Sequence, residues 1–155
     1  MGLQPAPWRC LSLLVPVPTL RIAVLVDGEN AESALLQSAL EEAGRSGKVT
    51  VKRVYGDWMK SDMSGWKSVM NELSVEPIQA STSSTGKSST DMALTIGAMD
   101  LLHRKVVDGI CIVSSDSDFT SLALRYRDEG KFVMGVGRHA STTPTALQRA
   151  CDRFI

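Results

Sequence analysis

Two aspartates one residue apart, Asp116 and Asp118, stand at the end of the apolar run Ile110-Cys111-Ile112-Val113, and a second run, Ile22-Ala23-Val24-Leu25-Val26, ends directly in Asp27. Continuous Ile/Val segments bounded by polar residues read as strands buried on both faces of a parallel sheet. In open α/β sheets ligands sit just outside the carboxyl ends of such strands. If the two strands are neighbours, three carboxylates meet at one spot. Close carboxylates without a cation cannot all stay ionised cheaply. Mg²⁺ or Mn²⁺, which prefer hard oxygen ligands, would neutralise them.

Other chemistries have less to work with. The three cysteines, Cys10, Cys111 and Cys151, and the two histidines, His103 and His139, are too widely spaced for a zinc pattern. An odd, scattered set of cysteines fits a reducing cytosol, hence a cytoplasmic protein, with Cys111 and Cys151 as small core residues. Lys+Arg and Asp+Glu both number 17, so no global field advertises a nucleic-acid partner, although a local basic face is compatible with that balance.

The elements that must position these acids alternate between strand and helix from Arg21 onward. A helix is expected around Ala31 to Ala43, closed by Gly44, then a strand from Val49 to Tyr55 with Val49, Val51 and Val54 buried. A helix from Ser64 to Leu73 places Trp66, Val69, Met70 and Leu73 on one face. A short strand near Val75 to Ala80 and a polar loop, Ser81 to Ser88, lead to a helix from about Thr90 whose Met92, Leu94, Ile96, Ala98, Met99 and Leu102 are apolar on most sides, which predicts deep burial. The Ile110 strand, a helix near Phe119 to Asp128, a strand from Phe132 to Val136 and a last helix near Pro144 to Cys151 complete the series. This predicts an α/β fold: a doubly wound, mainly parallel sheet of five or six strands with helices on both faces. Residues 1–20 are set apart by a proline-broken apolar run too short to span a bilayer, and read as a flexible or partly docked extension to one domain over 21–155. No membrane association is expected.

Strand order supplies a geometric argument. If the first three strands wind to one side and the next two to the other, the first and fourth lie side by side at the switch point, and Asp27 faces Asp116 and Asp118 across it. The helix joining strands three and four starts at the same edge with Asp91 in its first turn. Capped by Ser89 or Thr90, that helix could use Asp91 only as a dipole-facing carboxylate. Three other acids at the same edge favour the site reading.

The segments Val26-Asp27-Gly28-Glu29-Asn30, Arg53-Val54-Tyr55-Gly56-Asp57-Trp58, Pro77-Ile78-Gln79, Thr85-Gly86-Lys87-Ser88-Ser89-Thr90-Asp91, Ala98-Met99-Asp100-Leu101-Leu102 and Ser114-Ser115-Asp116-Ser117-Asp118-Phe119 fall in the order of NYN domains. They are most similar to the LabA-like branch, over about Arg21 to Ile155. NYN domains resemble PIN-type nucleases, which hold Mg²⁺ or Mn²⁺ in an acidic cluster and cleave RNA. The resemblance implies a metal-dependent ribonuclease with Asp27, Asp91, Asp116 and Asp118 as catalytic and metal-binding carboxylates. Asn30 would orient Asp27 or a water, Lys87 could contact phosphate as Arg53 or Lys60 could, and Glu29 would be a helix-start residue. RNA, single-stranded or structured, is the implied partner, and a homodimer is compatible with it.

The resemblance departs at Gly97, where the LabA-like pattern carries a second aspartate six residues after Asp91; Asp100, nine residues on from Asp91 and so about half a revolution round and ~13 Å further along the helix, does not replace that missing acid. Ser88 stands where asparagine is common. Gly97 is either a lost functional carboxylate or a place of close packing, and the family pattern favours the loss, which predicts weakened activity or an RNA-binding or dimerisation module. Two rivals share fragments of the sequence. Asp116-Ser117-Asp118-Phe119-Thr120 matches the Asp-x-Asp-x-Thr motif of haloacid-dehalogenase-like phosphatases, but too little chain follows it. Gly86-Lys87-Ser88 lacks the first glycine of a P-loop, which would fall at Ser81. Trp66 reads as core, whereas Trp58 fits either core or a base-stacking platform.

Overall fold

The computed structural model describes residues 17–80, 89–138 and 143–155. Its elements in chain order are β1 (Arg21–Asp27), α1 (Leu35–Ser46), β2 (Lys48–Gly56), α2 (Gly65–Leu73), β3 (Glu76–Gln79), α3 (Ser89–His103), β4 (Gly109–Val113), α4 (Thr120–Asp128), β5 (Phe132–Val136), α5 (Thr145–Ala150) and β6 (Arg153–Phe154). Short 3₁₀ turns at Ser61–Met63 and Ser117–Phe119 precede α2 and α4. The six strands form one sheet in the order β3-β2-β1-β4-β5-β6, and every pairing is parallel. β1 and β4 are neighbours, as the doubly wound reading requires. The sixth strand pairs Arg153 and Phe154 with Met134 and Gly135. Two residues without apolar alternation carry no strand signal of their own.

Alternation along the strands divides the core into two layers. Ala23 and Leu25 of β1 and Ile110 and Ile112 of β4 face α3, α4 and α5, where Leu94, Ala98, Leu122, Tyr126 and Leu147 meet them. Ile22, Val24, Val26, Cys111 and Val113 face α1 and α2, against Leu36, Ala39, Trp66 and Met70. Counting on by two from Leu25 puts Asp27 on the α3 face. A register shift between Ile22 and Ala23 brings Val49 to one layer and Val51 to the other, where a regular strand would set both on the same side.

Several expectations are corrected. α1 starts four residues late and runs through Gly44, where a Cβ would meet nothing within 4 Å, to end at Ser46, capped by Gly47. Glu29 therefore lies in a turn ahead of the helix and pairs with the Lys60 ammonium at 3.0 Å. α3 is not buried all round: Leu94, Ala98, Leu101 and Leu102 pack on the sheet, while Met92 and Ile96 are 59% and 55% exposed. With a single sheet beneath it, a helix can bury only one stripe. Thr90 lies inside the first turn of α3, and its hydroxyl is buried without a hydrogen-bond partner among the described residues, so it does not act as the cap. No described helix is long and apolar enough to cross a membrane.

Candidate metal centre

Asp27 is the last residue of β1, and its side chain is fully buried. The chain must turn at once, because Gly28 donates its N–H to the Tyr55 carbonyl at 2.8 Å and a Cβ there would stand 2.8 Å from that same oxygen. Only glycine allows so close an approach to β2. Past the turn, Asn30 swings its amide back to donate to Asp27 Oδ2 at 2.8 Å. Ser114, the residue after β4, donates its hydroxyl to the same oxygen at 3.0 Å. Among the described residues, Asp27 Oδ1 is buried with no hydrogen-bond partner.

Ser114 also accepts the Asp116 N–H at 3.1 Å. One hydroxyl therefore ties the end of β1 to the turn after β4. Asp116 caps the 3₁₀ turn, accepting the Asp118 N–H at 2.9 Å. Asp91, in the first turn of α3, completes the group. Asp27, Asp91 and Asp116 each offer a carboxylate oxygen within 4.8 Å of the others, a set able to hold a metal ion. Asp118 is exposed and falls outside this trio, though its charge reaches Asp91. Lys87 and Ser88 lie outside the described residues.

The electrostatics express the crowding. Burial pushes the Asp91 carboxyl up to about 7, reinforced by the charges of Asp27 and Asp116, a hydrogen bond with Asp116, and the charge of Asp118. Burial also raises Asp27, against the opposing hydrogen bonds from Asn30 and Ser114. Among the described residues, no Lys or Arg pairs with any of the four aspartates. Negative charge, hard oxygen donors and a buried oxygen without a partner together fit a divalent cation.

Gly97 has a packing explanation. A Cβ there would run into the Tyr55 hydroxyl and stand 3.1 Å from its Cζ. Tyr55 is itself buried between β2 and α3. The glycine therefore has a packing role against Tyr55, the second of the two readings its position allows, and that role is compatible with the loss of an acid at the same place. The sequence argument also missed Ser114 as the link between the two strand ends, and Arg138, whose guanidinium borders the same cleft as Asn30, Ser115 and Asp116 and pairs with Glu32 at 2.8 Å. Hydroxyls and surface arginines have no spacing signature; only strand adjacency singles these out. Arg53 pairs with Glu76 at 3.1 Å instead of facing the cleft.

An all-parallel doubly wound sheet with an acidic cluster at its switch point has the architecture of PIN-like nuclease domains. The chain belongs to the NYN domain family, whose model matches residues 21–155. It is 27% identical over 139 residues to an uncharacterized protein of Methanocaldococcus jannaschii, with 87% of this chain and 54% of that protein aligned. The chain thus spans about half the length of the curated relative it matches. The fold is also that of a Vibrio parahaemolyticus protein of unknown function solved by crystallography, with a TM-score of 0.71 at 20% identity over 88% of this chain and 92% of the other.

Proposed function

We propose that the chain is a Mg²⁺- or Mn²⁺-dependent endoribonuclease of the NYN family, nearest its LabA-like branch, hydrolysing phosphodiesters of single-stranded or structured RNA. The observation that carries the reading is the trio Asp27, Asp91 and Asp116, with Asp27 Oδ1 buried and unpartnered while Oδ2 is occupied by Asn30 and Ser114. These three residues would hold the ion, and Asp118 adds negative charge from the rim. A divalent ion bound there would polarise a phosphoryl oxygen and acidify a coordinated water. The protein's own part is positional. Asn30 and Ser114 fix the Asp27 carboxylate, and the Asp118 N–H fixes Asp116. Asp91, whose carboxyl is raised to about 7 by burial and the neighbouring acids, would give up whatever proton it carries when a cation binds.

Incubating the full chain with single-stranded RNA tests the proposal: cleavage in Mn²⁺ that EDTA stops is expected. RNA bound but not cut in Mn²⁺ would replace the enzyme with a binding module, and turnover of a small phosphomonoester would point to a phosphatase.

A further inference from the structure

Away from the carboxylates, the loop after β2 holds a tryptophan with unusual care. The Trp58 backbone N–H donates to Gln79 Oε1 at 3.1 Å, and its indole Nε1 donates to the Ile78 carbonyl at 3.0 Å. Gln79 is braced in turn, giving its amide to Asp57 Oδ1 at 2.9 Å and to the Ala80 carbonyl at 2.8 Å. The same Asp57 oxygen accepts the Met59 N–H. Asp57 is buried, and its carboxyl is held below the ordinary range first of all by the Gln79 amide. A core tryptophan needs no such scaffold. Trp66 buries its ring with a single bond, to the Gly28 carbonyl. Trp58 is only half-buried, packing on the α1/α2 core layer while also lining a cavity of about 380 Å³ with Met63, Met70 and Pro77.

That cavity ends a series of three neighbouring cavities that share lining residues and together make a groove. The cleft at Asp116 and Arg138 shares Glu29 and Asn30 with a second cavity of about 480 Å³, which shares Lys60 and Met63 with the Trp58 cavity. The groove runs along the carboxyl edge from the β1/β4 junction to β3, two strands or about 10 Å away. That distance spans two to three stacked bases at about 3.4 Å each. The groove's charge is mixed: Arg138 and Lys60 are paired with Glu32 and Glu29, Asp62 lines the middle, and Lys67 at the far rim has no ion-pair partner among the described residues. Its lining changes from polar at the acids to apolar and aromatic at Trp58.

We propose that the Trp58 cavity is a nucleobase-binding subsite, in which one base of a single-stranded RNA stacks on the indole while Lys60 and Lys67 meet the flanking phosphates. The inference rests on RNA as the substrate proposed above. Rigid aromatic faces with basic flanks bind single strands without strong sequence preference, and the braced indole is preorganised for that contact.

The test uses the full chain, Ca²⁺ in place of Mn²⁺, and two labelled probes about ten nucleotides long: oligoadenylate and the same sugar-phosphate chain lacking bases. A gel checks that the RNA stays intact. Fluorescence anisotropy is expected to show oligoadenylate bound about tenfold tighter than the abasic chain. Trp58→Ala should weaken oligoadenylate about tenfold and erase that preference, within the range measured for single stacked bases. Trp58→Phe, which keeps a ring, should stay within about threefold of the wild type. Lys67→Glu, a surface change that leaves folding intact, should weaken both probes and lower the salt-dependence slope. Equal affinity for the two probes, an unchanged Trp58→Ala, or no RNA binding at all would overturn the subsite. Cleavage in Mn²⁺, assayed in parallel, separates the two proposals: cutting that is indifferent to Trp58 sinks the subsite alone, whereas Trp58-dependent binding without cutting sinks the nuclease alone.

Discussion

β1 carries charge at both ends, and the fold treats the two ends in opposite ways. At the amino end, Arg21 gives its backbone N–H, its Nε and one terminal nitrogen to Asp108 at 2.8, 2.9 and 3.0 Å. Asp108 immediately precedes β4, so the pair clamps the same two strands that Ser114 joins at the other end. Those contacts hold the Asp108 carboxyl well below the usual carboxylate range. At the carboxyl end Asp27 is buried, with Asp91 and Asp116 beside it and no protein cation among the described residues. A charge needed only to hold strands together is answered within the chain and left near water. A buried charge that the chain leaves unanswered opposes folding, and its persistence points to something the fold alone does not contain.

Removing the acidic end's capacity for a cation should give the largest effect. Asp116→Asn is expected to abolish Mn²⁺ binding by calorimetry and to lower metal-dependent RNA cleavage by more than the ~100-fold typical of losing an outer-shell partner. Its metal-free melting temperature should hold or rise as repulsion is relieved. The wild type should gain about 2.7 kcal/mol from Mn²⁺ at 100 times its dissociation constant, and the variant none. Unchanged affinity in the variant would dissolve the contrast between the two ends.

Next in size is Gly97→Asp, which adds a further carboxylate on α3 and drives it into the Tyr55 ring. A loss of roughly 3 kcal/mol by thermal or urea melting is expected, with no gain in cleavage. Gly97→Ala should also destabilise, despite alanine's better helix propensity, and Tyr55→Phe should recover part of the loss in a double-mutant cycle. A stable Gly97→Asp with enhanced cleavage would favour the vanished-acid reading.

The pH responses of the two ends carry opposite signs. Asp91 titrates near 7 in the metal-free native state against 3.8 ordinarily, so the folded chain keeps a proton that the unfolded chain has lost. Its contribution to stability is full below about pH 4 and disappears as pH rises towards 7. Asp108 is lowered, so its contribution is present above 3.8 and lost as pH falls below that value. Asp91→Asn should flatten the neutral limb of a stability-pH curve measured in EDTA. Arg21→Ala should flatten only the acid limb, the smallest change of the set and one that added salt further shrinks.

Fold and site were legible in the sequence to different depths. The alternation of apolar runs and helical periodicities was enough for the parallel sheet, and the switch-point rule put Asp27, Asp91, Asp116 and Asp118 at one edge, where the first three meet and Asp118 stands apart on the rim. α1 could not be bounded, because Gly44 looks like a stop but is harmless on an exposed face. α3 misled in another way: apolarity all round says that a helix could be buried, not that a second layer exists to bury it. The packing role of Gly97 rests on a contact with Tyr55, 42 positions earlier in the numbering, which local pattern cannot reach. Ser114 had no distinguishing type at all; its role exists only because β4 lies beside β1.

That adjacency also governs how the protein comes together in time. Ser114 meets Asp27 across 87 residues, so their contact closes one of the long loops of the chain, and such contacts form after local ones. On that order a newly collapsed chain would present Asp27 without its companions, and ion capture would wait for β4 to dock. Interactions absent from the transition state act on the escape rate from the native basin, leaving the approach rate alone. Mn²⁺ should therefore slow unfolding in stopped-flow experiments by the full factor of its stabilisation while refolding proceeds at the same speed with or without it, making the bound ion a lock on the finished sheet and not a template for building it.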